Sequence, residues 1–172
     1  MILPKKRDPR FITVRRGGTL QDADHHLLTI WAADCALHVL HLFEEMQPND
    51  DRPHRAIEAA RAWERGDLSM VDARKAAFAS HAAARAANNA AAQAAARAAG
   101  HAAAVAHVAA HELGAAAYAI RAARAAADES ERDEAGRLEC QWQRAQLPSE
   151  IRDLVLDDQT LRNKICWFVF DC

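Results

Sequence analysis

Apolar and polar positions along this chain fall into blocks whose spacing predicts helices almost throughout. The first block holds Leu27, Leu28, Ile30, Trp31, Leu37, Val39, Leu40, Leu42 and Phe43. It is apolar nearly all round, the mark of a central helix. Thr19 followed by Asp22 reads as a capping box with the shorter acid, and the helix runs to about Met46. The loop QPNDDRP comes next, with Asp50 or Asp51 as cap and Pro53 in the first turn of a helix that stops at Gly66. Ser69 with Asp72 starts a third helix, and Asn88-Asn89 breaks or kinks it. A long alanine helix then covers residues 91–121 and beyond, with Gly114 as a possible bend. The acidic stretch DESERD precedes a helix over about Glu131–Gln146 that carries Leu138, Trp142 and Ala145 on one face. Pro148 opens a last amphipathic segment ending in CWFVFDC, which docks on the body as helix or strand. At the other end, Phe11–Arg16 alternates like a short strand, without a partner unless Trp167–Phe170 pairs with it.

Composition sharpens the picture at one place. Of the 55 residues from Ala73 to Ala127, 32 are alanine, the best helix former. Methyl-only faces let helix axes approach closely, yet each buried alanine stabilises far less than a buried leucine at about 25 cal/mol per Å². Larger side chains elsewhere must therefore fill the core. The expected fold is all-α: one Ala-rich bundle of about six to seven helices around the apolar N-terminal helix. Residues 1–18 form an extended arm, 19–127 the main bundle, and 128–172 C-terminal helices packed on it.

Charge and cysteine usage exclude some functions. A net charge of −2 and a pI near 6.5 argue against a general nucleic-acid binder. The cluster KKRDPR, with Arg15 and Arg16, reads as a solvated basic arm. No apolar run approaches the roughly 18 residues that span a bilayer, and no secretion signal is evident, so a cytoplasmic protein is expected, with no membrane partner. The four cysteines lack a C-x-x-C pair, and reduced thiols are expected.

Asp34, His38, His41 and Glu45 share one stripe of the first helix with Trp31, Cys35 and Leu42. A carboxylate in an apolar neighbourhood needs a partner, and Arg55, Arg61 or a histidine of the long helix could face Asp34. His107 and His111 lie four apart, a spacing at which two imidazoles bind one metal. Joined by Asp34 and His38, they could hold a divalent ion such as zinc between helices. The plainer reading has each histidine hydrogen-bonded inside a helix interface, and no HExxH or ExxH motif is present. His25, His26 and His54 read as solvated, and His81 as stacked at an interface. Cys35, mid-helix beside Asp34, lacks what lowers a thiol pKa, and there is no nucleophile elbow or phosphate loop. Nothing demands catalysis or a cofactor. The candidate binding cluster is Asp34, His38, His107, His111, Trp31 and Arg55.

Several stretches carry a resemblance: RFITVRRGGTLQDADHHLLTIWAADCALHVLHLFEE, DDRPHRAIEAARAWERGDLS, ARKAAFASHAAARAA and AARAAGHAAAVAHVAAHELGAAAYAIRAA, with WQRAQLP at Trp142–Pro148. From about Phe11 to Ala127 the chain resembles the immunity-protein domain family of bacterial polymorphic toxin systems. The resemblance implies a cytosolic helical protein that binds and neutralises a cognate protein toxin, and it supplies no catalytic motif. Trp63 and Arg55 are candidate anchors for such an interface. Two other readings stay open: a metal-binding bundle, and a small-molecule sequestering protein with its ligand between the alanine helices and the first helix. A homodimer is compatible with all three.

Overall fold

The computed structural model describes residues 3–172. Eight α-helices form one bundle: α1 (Asp22–His38), α2 (His41–Glu44), α3 (Arg52–Glu64), α4 (Met70–Ala86), α5 (Ala90–Ala104), α6 (Glu112–Ala126), α7 (Arg132–Ala145) and α8 (Ser149–Arg162). Among the described residues there is no strand. Phe11–Arg16 instead contains parts of two 3₁₀ turns, Pro9–Phe11 and Val14–Arg16, and a lone bridge joins Thr13 to Leu20. The first turn forms because Asp8 accepts a hydrogen bond from the Arg10 amide and Pro9 presets the backbone. Gly17, at φ 83°, reverses the arm.

The start of α1 differs from the expected capping box. Gln21 occupies the cap without a side-chain bond, and the Thr19 hydroxyl turns back toward the Pro9 carbonyl. The rod expected to reach Met46 also breaks at Val39, and the short α2 follows. Downstream the punctuation is as read: Gly66 sits at φ 80°, the Ser69 hydroxyl caps the Asp72 amide, and Asn89 caps the amide of Ala92.

The long alanine helix is two helices. α5 ends at Ala104, and a 3₁₀ turn at Ala109–His111 leads into α6, which packs back against α5. No glycine or proline announces this break. His25 accounts for part of it: its Nε2 lies 2.7 Å from the carbonyl of Val105, so the ring donates to an oxygen that the helix end leaves unpaired. That role requires burial, and His25 is buried rather than solvated.

The core has two complementary halves. α1 contributes Leu28, Trp31, Ala32, Ala33, Cys35 and Ala36, all buried. α5 is slender enough to touch α1, α2, α3, α4 and α6 together. Bulk comes from Trp31, Phe43, Ile57, Leu113, Ile120 and Ile151. The α4–α5 pair is especially close: the Ser80 hydroxyl donates to the carbonyl of Ala96 at 2.8 Å.

The C-terminal segment resolves as neither regular helix nor strand. After a 3₁₀ turn at Asn163–Cys166, Trp167 and Phe168 both adopt left-handed backbone, and Val169 and Phe170 are buried. Arg144 donates to the carbonyls of Phe170 and Cys172, and a Cys140–Cys172 disulfide fastens the end to α7. The expectation of four reduced thiols is corrected accordingly. The two cysteines lie 32 apart in sequence and meet only because Val169–Phe170 docks.

Candidate functional site

α1 and α7 place part of the expected cluster along one open groove of about 410 Å³, lined by Asp34, Leu37, His38, Trp142 and Gln146. Positions 34, 37 and 38 share the outer face of α1, while positions 138 and 142 are one turn apart on α7. Asp34 accepts a hydrogen bond from Arg61 of α3 at 2.9 Å, so one of its expected partners is the one used. The His38 ring nitrogen Nδ1 lies 2.7 Å from Glu139, and the imidazole stacks on Trp142 with centroids 3.7 Å apart and planes 8° from parallel. Glu139 is buried, and its second oxygen accepts from Gln143 at 2.8 Å. His38 and Trp142 thus form a rigid floor. Leu37 and Leu138, 40% and 52% exposed, are exposed apolar positions of these two helices.

Trp31 lies beneath this surface rather than on it. Its indole N–H donates to the Gln143 carbonyl at 2.9 Å and pins α1 to α7 inside the core. Arg55 is exposed and pairs with Asp51 one turn before it.

His107 and His111 belong to another place. They join His81 and His101 in a chain of rings: His81 meets His101 edge-on at 5.1 Å between centroids, His101 and His111 bring their Nδ1 atoms to 3.1 Å, and His107 lies 5.2 Å from His111. Tyr118 stacks on His101. Burial pushes all four imidazoles toward the neutral form, His81 to about 4 and His111 to about 3, with neighbouring arginines adding to the effect. The expected Asp34, His38, His107 and His111 set is not assembled, and among the described residues no group of three or more His, Cys, Asp or Glu is placed to hold a metal ion.

Three features escaped the sequence reading. Glu139 is buried beneath His38, though only its Gln143 partner four residues on hints at an inward polar stripe. Arg162 forms a buried network with Glu112 and Asp158, reaching Glu112 at 3.0 Å and the Ala110 carbonyl at 2.9 Å. The spacing of 50 residues leaves no trace of the Arg162–Glu112 contact in local sequence. Arg121 lies 4.2 Å over the ring of Trp167, against Tyr118.

Nucleophilic chemistry is not favoured by these surroundings. Cys35 and Cys166 are buried, and burial pushes both thiols up, Cys166 to about 12. The groove brings together an apolar side chain, Leu37, the aromatic Trp142 and the polar Asp34 and Gln146.

Comparison with known proteins gives one finding. The model of a family described as "Imm-5 like putative immunity protein" matches residues 18–150. No curated protein and no solved structure matches.

Proposed function

The chain belongs to the Imm-5 like immunity protein family, and from that premise we propose that it neutralises a cognate protein toxin by binding it directly, without catalysis. The observation that carries the reading is the α1–α7 groove. His38 stacked on Trp142, with Leu37 and Leu138 exposed on the same two helices, lies wholly within the matched residues. Interfaces draw most of their energy from a few aromatic and arginine anchors in a well-packed centre, ringed by polar groups. Trp142, held flat by His38, is such an anchor with little ordering entropy left to lose. Asp34 and Gln146 supply polar groups beside it.

The test is co-expression with the product of the adjacent open reading frame. A complex should form, and Leu138→Asp or Trp142→Ala should weaken it by about 30-fold or more, as expected for loss of an anchor of about 2 kcal/mol. Phe78→Ser removes an equally exposed side chain from α4 and should leave binding unchanged. Failure to form a complex, or a complex indifferent to Leu138 and Trp142, overturns the reading.

A further inference from the structure

A second cavity, of about 480 Å³, opens where the N-terminal arm crosses the turn between α5 and α6. Its volume falls in the range of small-molecule pockets, about 300–1,000 Å³. Every ionisable residue on its wall is an arginine or a histidine: Arg7, Arg15, Arg16, His25 and His107. Arg15 is ion-paired with Asp22. The guanidinium groups of Arg7 and Arg16 have no ion-pair or hydrogen-bond partner among the described residues. Cationic groups that converge on a concavity without a counter-charge focus a positive potential there.

The rest of the wall agrees. His107 borders the cavity too, but its Nδ1 is buried without a hydrogen-bond partner and out of reach of a ligand there. Burial, then the charges of Arg74, Arg16 and Arg7, hold this imidazole toward its neutral form. Apart from Thr13, the remaining wall is aromatic and apolar, with Phe11, Trp63 and Met70. Trp63 is steadied by His25, at 4.8 Å between ring centroids.

We infer that this cavity binds a small molecule carrying a phosphoryl or carboxyl group on a flat aromatic body. The anionic group meets Arg7 and Arg16, which present planar donor forks suited to such oxygens. The aromatic body lies against Trp63 and Phe11. Without the anion the arginines gain nothing, and without the ring the apolar wall stays wet.

Phenyl phosphate is the probe, with inorganic phosphate and phenol as its two halves, titrated at low ionic strength into untagged protein in a buffer free of other polyanions. Phenyl phosphate should bind saturably by calorimetry and raise the melting temperature according to RT ln(1 + [L]/Kd). Each half should bind at least ten-fold more weakly. Arg7→Gln/Arg16→Gln should lower phenyl phosphate affinity at least ten-fold; both side chains are exposed and unpaired, so its circular dichroism and melting temperature should match the parent. Trp63→Leu should lower phenyl phosphate affinity while leaving that of inorganic phosphate unchanged. No saturable binding at millimolar probe, unchanged affinity in the double variant, or equal affinity for phenyl and inorganic phosphate overturns the inference. None of these results depends on whether a toxin binds the α1–α7 groove.

Discussion

Gly100 of α5 lies directly against the imidazole of His81 of α4, so closely that a Cβ at residue 100 would come within 2.6 Å of two ring atoms. Glycine inside a helix costs roughly 0.5–1 kcal/mol relative to alanine, so this position sacrifices helix propensity for proximity. Gly100→Ala should therefore destabilise the protein, because overpacking costs about 1–3 kcal/mol and the ring is hemmed in by His101. In a His81→Ala background the same change should become neutral or stabilising. Chemical denaturation of the two singles and the double measures the coupling, and additivity would refute the contact.

Acid should weaken the fold early. His25, His81, His101, His107 and His111 all have folded pKa values below the ordinary 6.5, chiefly through burial. The unfolded chain therefore binds protons that the folded chain refuses. Stability from these groups is complete above about pH 6.5 and is lost as pH falls toward 4 and 3, the values for His81 and His111. The slope is at most about 1.4 kcal/mol per pH unit for each ring. Glu112 opposes the trend, since burial raises its carboxyl and makes its share of stability decline as pH rises. Five rings outweigh one carboxyl, so thermal melts at pH 7.5, 6 and 5 should show a falling midpoint. A flat profile over that range contradicts the burial of the histidine chain.

Arg162 illustrates the difference between buried and surface ion pairs. Its side chain and those of Glu112 and Asp158 are each 5% exposed or less. Burial alone would lower its pKa, but the facing carboxyls more than offset that and keep it charged. Arg162→Ala should cost about 3–5 kcal/mol, because it strands carboxyl groups in the core. Arg55→Ala, which loses only the exposed pair with Asp51, should leave the denaturation midpoint unchanged.

The elements with local signals were legible. Gly66, Ser69 and Asn89 punctuate helices through their own backbone preferences, and the apolar girth of α1 announced a core helix. What stayed hidden depends on tertiary partners. The break at Val105 is completed by His25, 80 residues away, and alanine fits a helix or a turn without objection. Asp34 and His38 were placed together because they share one helix. Joining them to His107 and His111 required a packing order that periodicity does not encode.

The cysteines give a counting experiment. With Cys140 and Cys172 bridged and Cys35 and Cys166 buried, native protein should react negligibly with a thiol reagent. Denatured, unreduced protein should titrate two thiols, and reduced protein four. Cys140→Ser/Cys172→Ser should lower stability by about 2–4 kcal/mol and loosen the end that Arg144 holds.

Trp167 and Phe168, at φ 59° and 57°, are the two non-glycine residues with left-handed backbone among those described. This conformation costs an L-residue roughly 1–2 kcal/mol, and it persists because both flanks are fixed: the Phe168 amide donates to the Asn163 carbonyl, and Phe170 is buried behind it. Phe168 itself is 56% exposed, so little packing is lost when its ring is removed. Phe168→Gly should be neutral or stabilising by up to about 1 kcal/mol, the relief of strain outweighing the added freedom of the unfolded chain. Trp167→Gly relieves the same strain but loses the ring under Arg121 and against Tyr118, and should be the less stable of the pair. Urea denaturation of the two variants beside the parent ranks them, and a Phe168→Gly protein more than about 1 kcal/mol less stable than the parent would show that the left-handed turn is held by Phe168's own contacts rather than by its flanks.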